Sequence, residues 1–415
     1  MTSQIVLMNK IGLAVASDSS LTMSRGDNRR TYASAEKIFP LDKNHKVAIL
    51  HSGTVEFMEH PFEVLLTEWS KSLQRPFGTL DEYVESFCIW LAHRQDLFPE
   101  ESQLEFFEDL LTGYYLEVRR ALLKELEDKG ISADEWKTEE TLSEVNVFLD
   151  SDLEYLDSLE DLEGLNSKWA DSRFQTVQAA VTAAVEYVFD DVPRDSVSDS
   201  KYESIARKVL YKRIFSNTYD ARLAFVGYGE KAIYPKHVWV DYQGVVGDKP
   251  RYVKDSKEIS TATSSALRTH AQDEAIHTFL RAYHQSFYNI AQNFQRESLR
   301  KLTDLLIQNL GNPEDEELMK TIDSFIEERI TGIGEEFERV SSVDFVQPFT
   351  STLSGLPSTS LGKMAENLIE LQILRQSSQA IQDTVGGPVD VAVITLEKGF
   401  EWFRHKNLDD LWGNI

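Results

Sequence analysis

The first fifty residues of this chain alternate between short apolar runs and polar turns, and this pattern constrains the fold more than any other feature. Residues 5–8 and 13–16 flank a turn at residues 9–12, and residues 37–41 and 47–50 form a second pair of runs. Short apolar runs bounded by turn residues predict β-strands. Because these runs are continuously apolar, they favour a sheet that is covered on both faces.

Helical periodicity follows these strands. Apolar residues at helical spacing predict one helix from residue 57 to about residue 73 and another over residues 79–91. Strands return over residues 221–241, residues 262–340 are predicted to be helical, and the chain closes with a predicted hairpin over residues 389–403. This order predicts one composite α/β (α+β) core, assembled from both chain ends and carrying large helical insertions.

Charge is distributed unevenly along the chain. Between Glu101 and Ala170 there are 20 Asp or Glu residues against 6 Lys or Arg residues, a net charge of −14. Leu, Phe, Tyr and Trp recur among them at helical spacings, which predicts a folded helical insertion. The predicted segments are the N-terminal half of the core at 1–98, the acidic helical insertion at 99–215, core strands at 216–260, a second helical insertion at 261–345, and a C-terminal helix and strands at 346–415.

The whole chain of 415 residues is acidic, with a formal net charge of −26. Such a charge repels phosphate groups, which excludes nucleic acid and anionic membrane surfaces as partners. The single cysteine, Cys88, excludes an intramolecular disulfide, and its apolar neighbours predict a buried structural thiol. Because the sequence shows neither a signal peptide nor an apolar run of about 20 residues, we expect a soluble, cytoplasmic protein.

Neither of two further patterns predicts a metal or cofactor site. His270, His277 and His284 recur every seven residues on a predicted helix, which separates neighbours by roughly 10 Å along the axis, too far to share one ion. Gly227-Tyr228-Gly229 lacks the third glycine and the following helix of a dinucleotide-binding loop. We therefore predict no metal and no cofactor.

Thr2, Asp18 and Lys37 carry the chemical prediction. Asp18 follows Thr2 by sixteen positions, Thr22 lies four positions beyond the acid, and Lys37 opens the next apolar run. A threonine hydroxyl is a poor nucleophile at neutral pH and needs an adjacent base. A free α-amine on the same residue, with a reference pKa of about 7.7–8.0, can accept the hydroxyl proton. A nearby lysine ammonium lowers the pKa of that amine, and a carboxylate can hold the lysine in place.

These residues resemble the active-site strands of the proteasome β-subunit family of N-terminal-nucleophile (Ntn) hydrolases, which includes HslV and the Anbu-type bacterial subunits. That family has a threonine at the mature N-terminus, an acid sixteen positions later, and a lysine that begins a following strand. Residues 225–244 resemble its paired strands ending in an Asp-x-x-Gly turn, and residues 386–395 resemble its C-terminal strand. The resemblance implies a four-layer αββα sandwich, enlarged here by helical insertions.

The resemblance also implies an activity. Removal of Met1 would expose Thr2, which would cleave extended or unfolded polypeptide through an acyl-enzyme, with Asp18 and Lys37 as its partners. Backbone N–H groups around Gly53 would form the oxyanion hole, because glycine lets a substrate carbonyl approach closely. The remaining predicted binding residues are a substrate-pairing backbone at Thr22 and a first specificity pocket lined by Leu21, Ala35, Ala48 and Ser52.

The sequence departs from the family pattern in its spacing and in its supporting residues. Lys37 lies three residues farther from Thr2 than is usual in the family, which a longer intervening turn can absorb. Where the family has a supporting Asp and Ser, Asp383 is displaced by one position and Val385 replaces the serine. Candidates for the family's other supporting serine are Ser264 and Ser265.

Two other functions stay open. The same Thr2 could serve a non-proteolytic Ntn amidase, or the chain could be a catalytically inactive proteasome-like subunit that acts as a scaffold or binding protein. Members of the family assemble into rings that enclose their active sites, so the resemblance implies a homo-oligomer. An ATPase or unfoldase partner also stays open, since the residues do not specify one.

Overall fold

A computed structural model describes residues 2–25, 28–32, 35–131, 139–214, 221–310, 316–378 and 385–406. The chain divides into two compact units. The first comprises Met1–Ile38, Ile233–Lys236 and Glu258–Ile415, and the second comprises Phe39–Ala232 and His237–Lys257. Each unit combines antiparallel strands with α-helices, so the prediction of a mixed α/β (α+β) chain is confirmed.

Five strands form the sheet of the first unit. They are β1 (Ser3–Asn9), β2 (Gly12–Asp18), β12 (Ser265–Ala271), β13 (Val389–Thr395) and β14 (Gly399–Arg404). Their spatial order is β12-β1-β2-β13-β14, with every neighbouring pair antiparallel. The predicted C-terminal hairpin is therefore confirmed as β13 and β14. A separate two-stranded ribbon contains β3 (Leu21–Arg25) and β4 (Asn28–Tyr32).

Three helices contribute to the apolar cluster on this sheet: α7 (Glu274–Arg281), α10 (Gln347–Ser354) and α11 (Ser358–Ser377). Two longer helices, α8 (Gln285–Leu310) and α9 (Glu316–Val340), pack against each other, and a π-helical segment at Ser341–Val346 connects α9 to α10. Leu361, Ala365 and Leu368 recur on one side of α11 and share a buried cluster with Ile5 and Val391 of the sheet. Burying each large aliphatic side chain contributes roughly 1.5–3 kcal/mol, which fixes β1 and β2 in the interior.

The second unit contains the other five-stranded sheet. Its strands are β5 (Ile38–Pro40), β6 (Val47–Gly53), β9 (Ala221–Gly227), β10 (Lys236–Val246) and β11 (Lys249–Glu258), in the spatial order β11-β10-β9-β6-β5. A small ribbon pairs β7 (Glu56–Phe57) with β8 (His60–Pro61). The helices are α1 (Phe62–Ser72), α2 (Leu80–His93), α3 (Glu100–Asp128), α4 (Glu139–Ser158), α5 (Ser167–Phe189) and α6 (Ser196–Val209).

Two apolar clusters organise the second unit. Helices α1 and α2 pack on the sheet, where Trp69 and Phe87 meet Phe225 edge-on or tilted. Helices α3 to α6 enclose a cluster of their own, in which Phe189 and Tyr202 contact each other with ring centroids 4.5 Å apart. Cys88 is buried as predicted, and that burial raises its pKa to about 11, so the thiol is unreactive at neutral pH.

Two secondary-structure predictions are wrong. The helix predicted from residue 57 begins only at Phe62, because Met58 and Glu59 adopt positive φ angles of 46° and 66° in the turn between β7 and β8. The helical prediction for residues 262–340 fails at β12, since pairing with β1 overrides the local periodicity. Among the described residues, no helix is long and apolar enough to cross a membrane.

Candidate active site

The β1–β2 hairpin brings the ends of its two strands together. Ser17 lies opposite Gln4, so the next position, Asp18, lies beside Ser3, the residue that follows Thr2. The Ser3 N–H donates to Asp18 Oδ1 at 2.9 Å. A separation of sixteen positions between Thr2 and Asp18 is therefore what a hairpin of this length needs to place an acid next to the start of β1.

The Asp18 carboxylate is fully buried and accepts four hydrogen bonds. The Ser3 N–H and the Lys37 Nζ, at 2.8 Å, donate to Oδ1. The N–H groups of Ser20, at 3.2 Å, and Gly386, at 3.1 Å, donate to Oδ2. Three backbone segments and one ammonium thus converge on this carboxylate, which is how a buried charge is accommodated.

Lys37 lies directly before β5, and its side chain is 7% exposed. Burial lowers the pKa of Lys37, the Asp18 carboxylate raises it by a smaller amount, and the ammonium of Lys406 lowers it further. The ammonium is therefore less favoured than in an exposed lysine. A group in this state exchanges a proton near neutral pH more readily than a solvated lysine does.

Thr2 is buried directly before β1, and its carbonyl accepts a hydrogen bond from the Gln272 N–H at 2.8 Å. Because β12 runs antiparallel to β1, Ala271 lies opposite Ser3 at the same end of the sheet. Ser265 lies opposite Asn9, at the far end of β1. The prediction that Ser264 or Ser265 supports Thr2 is therefore wrong, because the residue that contacts Thr2 here is Gln272, directly after β12.

The other predicted site residues are distributed over both units. In the first unit, Leu21 is partly buried, the Thr22 backbone lies opposite Thr31, and the Ala35 N–H donates to Ser19 O at 3.0 Å. Their roles in substrate binding stay predictions.

Ala48, Ser52 and Gly53 all belong to β6 in the second unit. Ala48 and Ser52 are buried, and Gly53 has a φ of 94°, which glycine adopts without strain. Their predicted part in the pocket and the oxyanion hole stays a prediction. Met1 and Asp383 lie outside the described residues.

A second buried ion pair adjoins the first and was not predicted from the sequence. Asp390 on β13 and Lys406 after β14 contact each other through their charged groups, and each side chain is 2% exposed. Lys406 Nζ also lies 3.1 Å from Glu36 Oε2. The signal that could have revealed this pair is a single aspartate within the apolar run of β13.

The histidines do not share one helix, which corrects the sequence prediction. His270 lies on β12, whereas His277 lies on α7 and contacts Asp273 at 3.0 Å. Thr269 Oγ1 and Asp273 Oδ2 both approach Nε2 of His277. The imidazole therefore does not bridge the hydroxyl and the acid through its two nitrogens, as a nucleophilic triad requires.

Comparisons with known proteins find structural matches of low similarity and no sequence match. No protein-family model matches the chain. No curated protein matches it significantly. Among solved structures, the chain is similar to Anbu from Hyphomicrobium sp. strain MC1 and to an Anbu (Gly-1) mutant from the same strain, each at 9% identity. The alignments cover 99% and 100% of this chain and 94% of the others, with TM-scores of 0.29 and 0.30. Scores this low do not by themselves establish a shared fold or activity.

Proposed function

We propose that the chain is an N-terminal threonine hydrolase of the proteasome-like peptidase type, with Thr2 as its nucleophile. One observation carries the proposal: a single buried carboxylate, that of Asp18, binds both the Lys37 ammonium and the N–H of the residue after Thr2. Burying a lysine against a carboxylate is costly. Such a pair beside a threonine supports a catalytic role, which we propose is to stabilise the charge that develops on the Thr2 oxygen.

The proposed reaction begins once the Met1–Thr2 bond has been cleaved and the α-amine is free. The Thr2 hydroxyl would lose its proton to that amine, directly or through water, while Lys37 stabilises the developing alkoxide. Attack on a peptide carbonyl would form an ester on Thr2 and release the amine half, which takes the proton. Water would then hydrolyse the ester and regenerate the hydroxyl.

Binding of the substrate is proposed on the resemblance. Backbone groups around Ser52 and Gly53 would stabilise the oxyanion, and Thr22 would pair with an extended peptide as an added strand. Leu21, Ala35 and Ala48 would line the first specificity pocket. Asp383 would be a supporting residue of the site.

The arrangement of layers and segments is also proposed from the resemblance to the proteasome β-subunit family. We propose a four-layer αββα sandwich with insertions at 99–215 and 261–345, and core segments at 1–98, 216–260 and 346–415. We further propose that the chain assembles into a homo-oligomeric ring. A partnership with an ATPase or unfoldase stays open. Native mass spectrometry tests the ring, because a monomer at micromolar concentration would contradict it.

A covalent probe tests the nucleophile. A peptide epoxyketone should add once per chain to wild-type protein, and peptide mapping should locate the adduct on Thr2. Thr2→Ala should abolish the adduct, whereas Thr2→Ser should retain it because the hydroxyl is preserved. Wild-type protein that starts at Thr2, remains folded and forms no adduct would contradict the proposal.

Substrate assays separate the peptidase from the amidase. Cleavage of an unfolded polypeptide that depends on the Thr2 hydroxyl supports the peptidase. Turnover of small amides without cleavage of peptides would instead favour an Ntn amidase. Thr2→Ala serves as the control in both assays, since any turnover that survives it comes from a contaminant.

A further inference from the structure

Lys406 joins the segments that carry the two charged partners of the proposed nucleophile. Its backbone N–H donates to Asp390 Oδ1 at 2.7 Å, and its ammonium contacts Asp390 Oδ2. The same ammonium lies 3.1 Å from Glu36, the residue directly before Lys37. One side chain thus ties β13 to the segment that positions Lys37.

Asp390 extends this connection to Asp18. It lies opposite Ser17 in the pairing of β13 with β2, and the Ser19 hydroxyl donates to its Oδ2 at 3.2 Å. The Ser19 N–H donates to Gly386 O at 3.2 Å, and the Gly386 N–H donates to the Asp18 carboxylate. The residues directly following Asp18 and preceding Lys37 are therefore both held by the Asp390–Lys406 pair.

A metal ion is the alternative reading of this cluster. Ligand atoms of Glu36, Asp390 and His405 lie within 4.8 Å of one another, as a cation site requires. However, the Lys406 ammonium already contacts both carboxylates. A divalent ion would have to displace that ammonium, so the chain supplies its own cation to the cluster.

The charge of Lys406 also reaches Lys37. Four ionisable groups face Lys37 or adjoin it: Asp18 from β2, Asp390 from β13, Lys406 after β14, and Glu36, which contacts His405. Among them, Lys406 lowers the pKa of Lys37, while Asp18 and Asp390 raise it. Loss of the Lys406 charge would therefore raise the pKa of Lys37.

We propose that Lys406 is a positioning residue: through Asp390 and Glu36 it holds Asp18 and Lys37 in register and keeps a second cation beside Lys37. The catalytic consequence rests on the proposed function of Thr2. The effects on the position and the pKa of Lys37 do not rest on the proposed function, because they can be measured on Lys37 itself.

The test compares Lys406→Met with Lys406→Arg in the full chain. In Lys406→Met, the alkaline pH midpoint of epoxyketone adduct formation, above which Lys37 loses the charge that stabilises the alkoxide, should move upward. Below that midpoint the rate should fall by up to about 10²-fold, because Asp18 and Lys37 are no longer held in register. Lys406→Arg should keep most of the rate, because a guanidinium can bind both carboxylates. Lys398→Met, at the exposed turn of the same hairpin, is the matched control and should leave rate and midpoint unchanged.

A second readout separates this inference from the proposed function. The ¹³Cε shift of Lys37 in ¹³C-lysine-labelled protein, assigned with Lys37→Arg, reports its pKa whether or not Thr2 reacts. An upward shift in Lys406→Met supports the inference even if no variant forms an adduct. A folded Lys406→Met with wild-type Lys37 titration and wild-type adduct kinetics would overturn it.

A further variant covers the case in which Lys406→Met does not fold. The double change Asp390→Asn with Lys406→Met removes both charges and leaves no unpaired carboxylate at position 390. Slower adduct formation or a changed Lys37 titration in this variant supports the inference. Unchanged kinetics together with an unchanged titration would contradict it.

Discussion

Each end of the β1–β2 hairpin buries one polar side chain that is fully hydrogen-bonded, but one of these side chains is neutral and the other is charged. At the turn, the buried Asn9 amide accepts from Ile11 and Gly12 and donates to the carbonyls of Leu353 and Leu356, all within 2.8–3.2 Å. At the open end, the equally buried Asp18 carboxylate also makes four hydrogen bonds, but all four partners are donors.

The difference between these two sets of partners shows that backbone hydrogen bonding at the open end requires the Asp18 carboxylate but not the Lys37 ammonium. Three backbone N–H groups, from Ser3, Ser20 and Gly386, need an acceptor, and Asp18 provides it. These N–H groups are satisfied by Asp18 alone, and the Lys37 ammonium is an additional donor to the same carboxylate. A neutral amide satisfies the turn end without burying a charge, whereas the open end buries Lys37 as well as Asp18. This difference is why we propose the open end as the site of the chemistry.

The largest expected effect follows from removing Lys37. Lys37→Met should lower the rate of Thr2 adduct formation by about 10²–10³, the range for loss of one group that stabilises a developing oxyanion. The free energy of unfolding should fall by less than about 2 kcal/mol, because three N–H groups still satisfy Asp18. Adduct kinetics and urea unfolding on one preparation check both values. A large loss of stability with an unchanged rate would reverse the assignment.

Asp18→Asn should cost more stability than any change at Lys37. It leaves the Lys37 ammonium buried without a counter-charge, which destabilises by about 3–5 kcal/mol. The matched control is Asn9→Ala, whose lost hydrogen bonds should cost about 2–3 kcal/mol. Urea unfolding measures both changes. Adduct formation per folded molecule should fall in Asp18→Asn and stay at the wild-type rate in Asn9→Ala, and equal rates would remove the distinction between the two ends.

The stability contributed at Lys37 should depend on pH with a defined sign. Its pKa is lowered in the folded state, so between that value and the ordinary 10.5 the unfolded chain binds more protons. Wild type should therefore gain stability relative to Lys37→Met as pH rises through this window. The gain is about 1.4 kcal/mol for each unit of pKa lowering. Unfolding curves across alkaline pH test it, and a difference that shrinks with rising pH would have the wrong sign.

The smallest expected effect concerns the β12 residue opposite Ser3. Ala271 has a φ of 62°, a left-handed conformation that costs a non-glycine residue roughly 1–2 kcal/mol. Ala271→Gly relieves that strain but adds chain entropy to the unfolded state, so stability should rise by less than about 1 kcal/mol. Thermal unfolding measures the change. A loss of stability would show that contacts of the Ala271 methyl group stabilise the fold by more than the strain costs.

The turn predicted at residues 9–12 returns β2 alongside β1, and this pairing places Asp18 beside Ser3. Lys37 lies outside the hairpin, so its place beside Asp18 is expected only from the family resemblance. The strand β12 escaped prediction, since its seven residues lack a distinctive period and are ordered by pairing with β1. Lys406 and Asp390 could not be linked to Asp18, because they meet only when β13 pairs with β2. Contacts between distant segments depend on tertiary pairing that local patterns do not encode.

The N-terminal mass of the native protein tests the central claim most directly. Intact-mass measurement, with N-terminal sequencing of the same sample, should show a chain that begins at Thr2, since only a free α-amine can activate its hydroxyl in the proposed way. Complete retention of Met1 in native protein would contradict both the peptidase and the amidase, and would leave the buried Asp18–Lys37 pair without the nucleophile it is proposed to serve.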